Sequence, residues 1–348
     1  MDGNSKLQDS DFNYIDYITY FISIISITFS SFLIYIIKHT KELNSNIANQ
    51  FIIFLTISEM INNITQFSSL FATWLENLNN MFDESLRVCF FQIYCNLFSN
   101  IMSLLSSLLI SLHLYDAFFC NNSIFSTKKS VNIAKGITVY VSLILSLIFF
   151  IIQMEEFQNA EEIKYKRVIS CWISGTLDYG LIAIYVIVII VICILSYYVR
   201  KDVKAYRKEL KASGEKNNVN DDRYDKVKLI HRMLNMYPVV TVFVYGVISL
   251  ARIMTYISLN YQKQEGTNSL LLSISYWMFA VATNLRGFVF TSVYLFTEKK
   301  LKERFVFYLC GGGCKGDKEE ERDTSNSLQM VEQRAIEDEE EDYDGDKY

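Results

Sequence analysis

Long apolar stretches alternate with short polar ones along this chain, and the apolar stretches have the length a bilayer demands. Residues 17–37, 88–112, 136–154, 179–199 and 233–251 contain no charged side chain. Each reaches the roughly 17 to 25 residues that a helix rising about 1.5 Å per residue needs to cross hydrocarbon. Two further stretches carry one charge apiece, Glu59 in residues 52–74 and Arg286 in residues 270–297. As helices of a soluble core both would be unusually long. The pattern predicts an all-α membrane protein built as a bundle of seven transmembrane helices.

Composition sharpens this division. Hydrophobic residues make up 51% and aromatic residues 15% of the chain, too much for an ordinary soluble domain, and charge is confined to the loops and the end of the chain. Residues 315–348 hold 14 acidic against 5 basic side chains, so the net charge of −5 belongs to this stretch. With almost nothing apolar after Val331 it is expected to be disordered, because it has no surface to bury against its ordering entropy. Four regions follow: a short extracellular segment (1–16), the seven-helix domain (17–298), a membrane-surface helix (299–310) and an acidic cytoplasmic tail (311–348). The first 16 residues are acidic and lack the pattern of a cleaved signal peptide, so the first span is expected to serve as its own insertion signal.

Lys and Arg on alternate loops set the orientation. One side carries 19 of them, ten lying between Arg200 and Lys228, and the other side carries six. Cytoplasmic loops retain positive charge, which predicts the N-terminus outside and the acidic tail in the cytosol. Cys89 and Cys171 then fall on the oxidising side, where a disulfide can form. The alternatives leave Cys171 paired with Cys95 or free. Cys95 and Cys193 lie within spans and are expected as buried thiols.

Several short motifs stand in order within these spans. Cys89-Phe-Phe-Gln92 opens the third, Cys171-Trp172-Ile173 lies in the second outer loop, and Leu234-Asn-Met-Tyr237-Pro238 begins the sixth, with Arg252-Ile253 near its outer end. The seventh contains Leu285-Arg286-Gly287, Val293-Tyr294 and Glu298-Lys299. Together they resemble the cyclic-AMP-receptor-like family of G-protein-coupled receptors, which is related to the secretin-like receptors. The resemblance covers roughly residues 49–300 and implies an extracellular ligand, a heterotrimeric G protein as partner and the plasma membrane as location. Arg286 departs from it, standing where the family usually has a neutral polar residue. A second proline further along the sixth span is also absent. No Asp-Arg-Tyr ends the third span and no Asn-Pro-x-x-Tyr closes the seventh, so rhodopsin-like signatures are missing.

Charges inside hydrocarbon cost several kcal/mol unless paired. Glu59 and Arg286 sit at about the same height, roughly 15 Å from the cytoplasmic end of their spans, and are expected to form an intramembrane ion pair, either a fixed structural pair or a latch. Tyr237-Pro238 is a candidate hinge, since proline frees a carbonyl and permits a kink; the alternative is a helix start. Ligand-pocket candidates are Gln92, Trp172, Arg252, Tyr256 and Trp277. Arg252 suits an anionic group, and snorkelling to the interface is its alternative. G-protein contact candidates on the inner rim are His113, Tyr115, Asp116, Arg200, Lys204, Lys228 and Arg232, although a basic rim also satisfies lipid headgroups.

Beyond the seventh span Leu301, Phe305 and Leu309 recur every four residues among basic ones, the pattern of an amphipathic surface helix. Cys310 and Cys314 follow as palmitoylation candidates, and Thr324, Ser325 and Ser327 as phosphorylation candidates. A zinc site there lacks two ligands, and the intervening glycines lack a phosphate-loop ending. No nucleophile motif, metal cluster or nucleotide loop marks an enzyme, and no cofactor or nucleic-acid partner is expected. The competing class is a channel or transporter with a polar pathway around Glu59 and Arg286, which matching interrupted halves would favour and which this chain lacks. A retinal-type pump needs a Schiff-base lysine that residues 270–297 do not contain.

Overall fold

The computed structural model describes residues 4–79, 82–120, 124–158, 176–212, 236, 239–255, 257, 269–297, 301–302 and 304–306. Its elements are α1 (Asn4–His39), α2 (Lys41–Ser45), α3 (Ile47–Asn79), α4 (Phe82–Phe119), α5 (Lys128–Gln158), α6 (Thr176–Ala212), α7 (Val239–Thr255) and α8 (Ser269–Thr297). No strand occurs among the described residues. A second unit begins at Lys300, and its described residues, 301–302 and 304–306, are helical.

Five helices are long and apolar enough to cross a membrane, over Tyr17–His39, Phe90–Ala117, Lys128–Ile152, Gly180–Ala205 and Trp277–Thr297. The described part of α7 is apolar but shorter. At 33 residues α3 has ample length, and Glu59, Asn62, Asn63 and Gln66 hold its hydropathy below that of the five. Helices also run past the predicted spans, α1 back to Asn4 and α6 on to Ala212. Hydropathy marks where hydrocarbon ends, whereas backbone hydrogen bonding continues into polar residues of good helix propensity such as Lys201, Lys204 and Lys208.

Burial in this bundle is inverted relative to a soluble protein. Glu59, Asn62, Asn63, Gln66, Gln92, Asn96 and Arg286 are buried, while Ile137, Tyr140, Leu147, Ile187, Ile190 and Phe243 are exposed. An apolar exterior around a hydrogen-bonded polar interior is what a bilayer stabilises, since lipid tails solvate aliphatic side chains but not amides. The chain is therefore a multi-pass helical membrane protein. Cys193 follows this rule: it lies exposed on the apolar face of α6, not in the core as expected, because the 3.6-residue period aligns it with Val186, Ile190 and Tyr197.

Central in the bundle is α4, with 67% of its most apolar stretch buried against 17% for that of α5. Its antiparallel register with α3 follows from Thr65–Asn96 (2.8 Å), Ser99–Asn62 (3.4 Å) and Ser103–Glu59 contacts. Parallel to α1 runs α8, tied by Ser23–Asn284 (3.0 Å) and Ser30–Thr291 (3.5 Å). Such polar seams replace the hydrophobic drive that helices lack against lipid.

Candidate functional site: a buried polar cluster at mid-bundle

The structure brings Glu59 of α3 and Arg286 of α8 together, with Arg286 Nε donating to Glu59 Oε2 at 2.6 Å and both side chains essentially inaccessible. Glu59 Oε1 and Arg286 Nη1 recruit further helices. Ser103 of α4 donates to Glu59 Oε1, and Arg286 Nη1 donates to Asn100 Oδ1, also on α4. Tyr245 of α7 donates its hydroxyl to Ser103 Oγ (3.0 Å), accepts from Arg286 Nη1 (3.5 Å) and lies under the guanidinium, 5.4 Å from ring centroid to Cζ. Tyr185 of α6 packs on Tyr245 at 5.3 Å. One ion pair thus gathers five helices, because the cost of burying charge falls with each hydrogen bond that the pair makes.

Backbone geometry makes room for this. Gly287 follows Arg286, and a Cβ there would lie 2.5 Å from Ser26 Oγ and 3.2 Å from both Asn63 Nδ2 and Glu59 Cβ. Glycine lets α1, α3 and α8 approach at the level of the pair. Asn63 bridges the gap, donating to Ser26 Oγ (3.1 Å) and to the Glu59 carbonyl (2.9 Å). Asn284 bonds back to the Ala280 carbonyl and accepts from Ser23, so it braces α1 against α8 rather than joining the ion pair.

A second seam extends towards the α3–α4 turn. Gln92 donates to Gln66 Oε1 (3.5 Å), and Gln66 to Asn96 Oδ1 (3.4 Å). Of the other pocket candidates, Arg252 is buried with its Cζ 5.1 Å from the Phe279 ring, and Trp277 is half-buried on α8. Trp172 and Tyr256 lie outside the described residues. So do Cys171 and the side chain of Cys89; Cys95 is a free thiol, which removes its pairing with Cys171. Tyr237, Pro238, Lys228, Arg232, Cys310 and Cys314 also lie outside the described residues.

At the opposite end of the bundle Asp116 is buried, and its carboxylate accepts from the backbone N–H groups of Ile124 (3.1 Å) and Phe125 (2.9 Å). Both of its oxygens accept from the loop after α4, which ties that loop to the helix end. His113 is half-buried among rings, 5.7 Å from both Phe51 and Phe125. Tyr115 stacks on Phe119 at 4.5 Å. Of the remaining rim residues, Lys204 is exposed and Arg200 half-buried on α6. Replacing Asp116 with alanine strands these amides and is expected to cost about 1–3 kcal/mol. Amide hydrogen exchange at Ile124 and Phe125 checks this: both should lose protection in the variant, and unchanged protection removes the anchoring role.

Sequence reasoning missed Tyr245, Ser103 and Asn100. The signal available was α4's polar stripe, Asn96, Ser99, Asn100, Ser103 and Ser107, spaced at three and four residues. Among the described residues no group of His, Cys, Asp and Glu is arranged to hold a metal. Compared with known families and characterised proteins, the chain matches no family profile and no characterised sequence.

Proposed function

We propose that this chain is a seven-helix receptor of the cyclic-AMP-receptor-like type, passing an extracellular signal to a cytosolic heterotrimeric G protein. Its N-terminus lies outside and its acidic tail inside, in the plasma membrane. The carrying observation is the attachment of α7 to the Glu59–Arg286 pair through Tyr245, bonded at once to Ser103 and Arg286. Directional bonds from one helix to a buried pair are the kind of contact that a switch makes and breaks. Release of Tyr245, and with it α7, from the ion pair opens the end of the bundle bearing Arg200 and Lys204, where a G protein α subunit docks. Ligand, a small molecule or peptide, enters from the other end near Gln92, Arg252 and Trp277. The buried amides of α3 and α4 are the feature on which a transport function draws, and flux is the measurement for it.

Nucleotide exchange on purified α subunits, with the chain reconstituted in membranes, tests the proposal. Glu59→Gln and Arg286→Gln are expected to raise basal exchange several-fold in folded, surface-expressed protein, with Tyr245→Phe raising it less because its ring still lies under the guanidinium. Folded protein that promotes no exchange across a broad α-subunit panel ends the receptor assignment.

A further inference from the structure

The contacts between α7 and α8 fix an antiparallel register. Thr255 bonds Ser275 (3.0 Å), Arg252 lies over Phe279, and Tyr245 accepts from Arg286. Between the last two levels this register puts Ser249 of α7 alongside Ala282 and Thr283 of α8, one turn from the ion pair. Three buried polar atoms at this level lack a hydrogen-bond partner among the described residues: Ser249 Oγ, Thr283 Oγ1 and Arg286 Nη2.

These hydroxyls break the habit of their own bundle. Ser106, Ser107, Ser111, Thr138, Ser142 and Ser196 each donate to the carbonyl four residues back, the usual refuge for a hydroxyl in an apolar helix. Ser249 and Thr283 make no such bond, and by register they stand one turn from Arg286, whose Nη2 needs an acceptor. A buried guanidinium N–H without an acceptor is among the costlier defects a fold can carry. An anion does not suit Arg286 Nη2, since Glu59 already neutralises Arg286 and a second negative charge would be buried unpaired. A neutral molecule that accepts one bond and donates two suits all three atoms, and three partners is the usual complement of a buried water.

We propose that Ser249, Thr283 and Arg286 form a binding site for one neutral hydrogen-bonding molecule, a water, which accepts from Arg286 Nη2 and donates to the two hydroxyls. This water ties α7 to α8 one turn beyond Tyr245. Unlike a direct side-chain bond it exchanges with solvent, so α7 is held to the ion pair by one fixed and one replaceable contact. The site concerns binding alone and stands whether or not the chain couples to a G protein.

The test uses the full chain carrying isotope-labelled arginine in lipid nanodiscs, with no G protein present. The Nη2 protons of Arg286 are identified by their loss in Arg286→Lys, and their magnetisation exchange with water is recorded. A water cross-peak is expected in the wild type, falling several-fold in Ser249→Ala/Thr283→Val and partly in Ser249→Ala, which carries the test should the double variant fail to fold. Absence of the cross-peak in folded wild type overturns the proposal, as does a cross-peak of undiminished intensity in whichever of these variants folds.

Discussion

Arg286→Met is expected to destabilise the bundle by about 3–5 kcal/mol, Glu59→Met by a similar amount, and the double replacement by far less than either. Each single change leaves one charge buried at 0–1% exposure with no counter-ion. In hydrocarbon that charge must drag in water, distort the bundle or give up its ionisation. Removing both exchanges a desolvated pair for two flexible apolar side chains of comparable volume, which cores often accept at little cost. Residual loss in the double variant reports Ser103, Asn100 and Tyr245, whose bonds to the pair disappear. Unfolding of the four forms in one lipid environment measures the coupling directly. If the two single losses simply add, the pair contributes nothing specific and its central place in the bundle is wrong.

Gly287→Ala is the second large effect. The added methyl meets Ser26 Oγ at 2.5 Å, inside any permissible contact, and presses on Asn63 and Glu59 as well. Three helices must part or Glu59 must shift, for an expected loss of about 1–3 kcal/mol. Ser26→Gly removes the nearest atom and should restore part of that stability, but not all, because Asn63 then loses its bond to Ser26. Gly246→Ala on α7 serves as control: nothing lies within 4 Å of a Cβ there, and alanine's better helix propensity should make the change neutral or stabilising by up to about 1 kcal/mol. A Gly287→Ala protein as stable as wild type would show that α1 and α8 slide past one another freely and that the close approach positions nothing.

What the chain determined by itself is its solvent and the location of its two expensive charges. Hydropathy alone separates membrane-length helices from loops, because an apolar run of twenty residues has few other stable homes. Glu59 and Arg286 were legible as partners from depth alone, since a helix rises by a constant amount per residue and two isolated charges in hydrocarbon must find one another. Helix ends were less legible: α6 continues to Ala212 through residues that hydropathy assigns to a loop. The roles of Tyr245, Ser103, Asn100 and Gly287 had to come from the tertiary structure. A neutral hydroxyl, amide or glycine costs little enough at many rotations about a helix axis that its sequence position leaves its partner open. Only the packed registers of α3 with α4 and of α7 with α8 decide which of these atoms meets a charge, which meets a backbone carbonyl, and which, like Ser249 and Thr283, is left for a water.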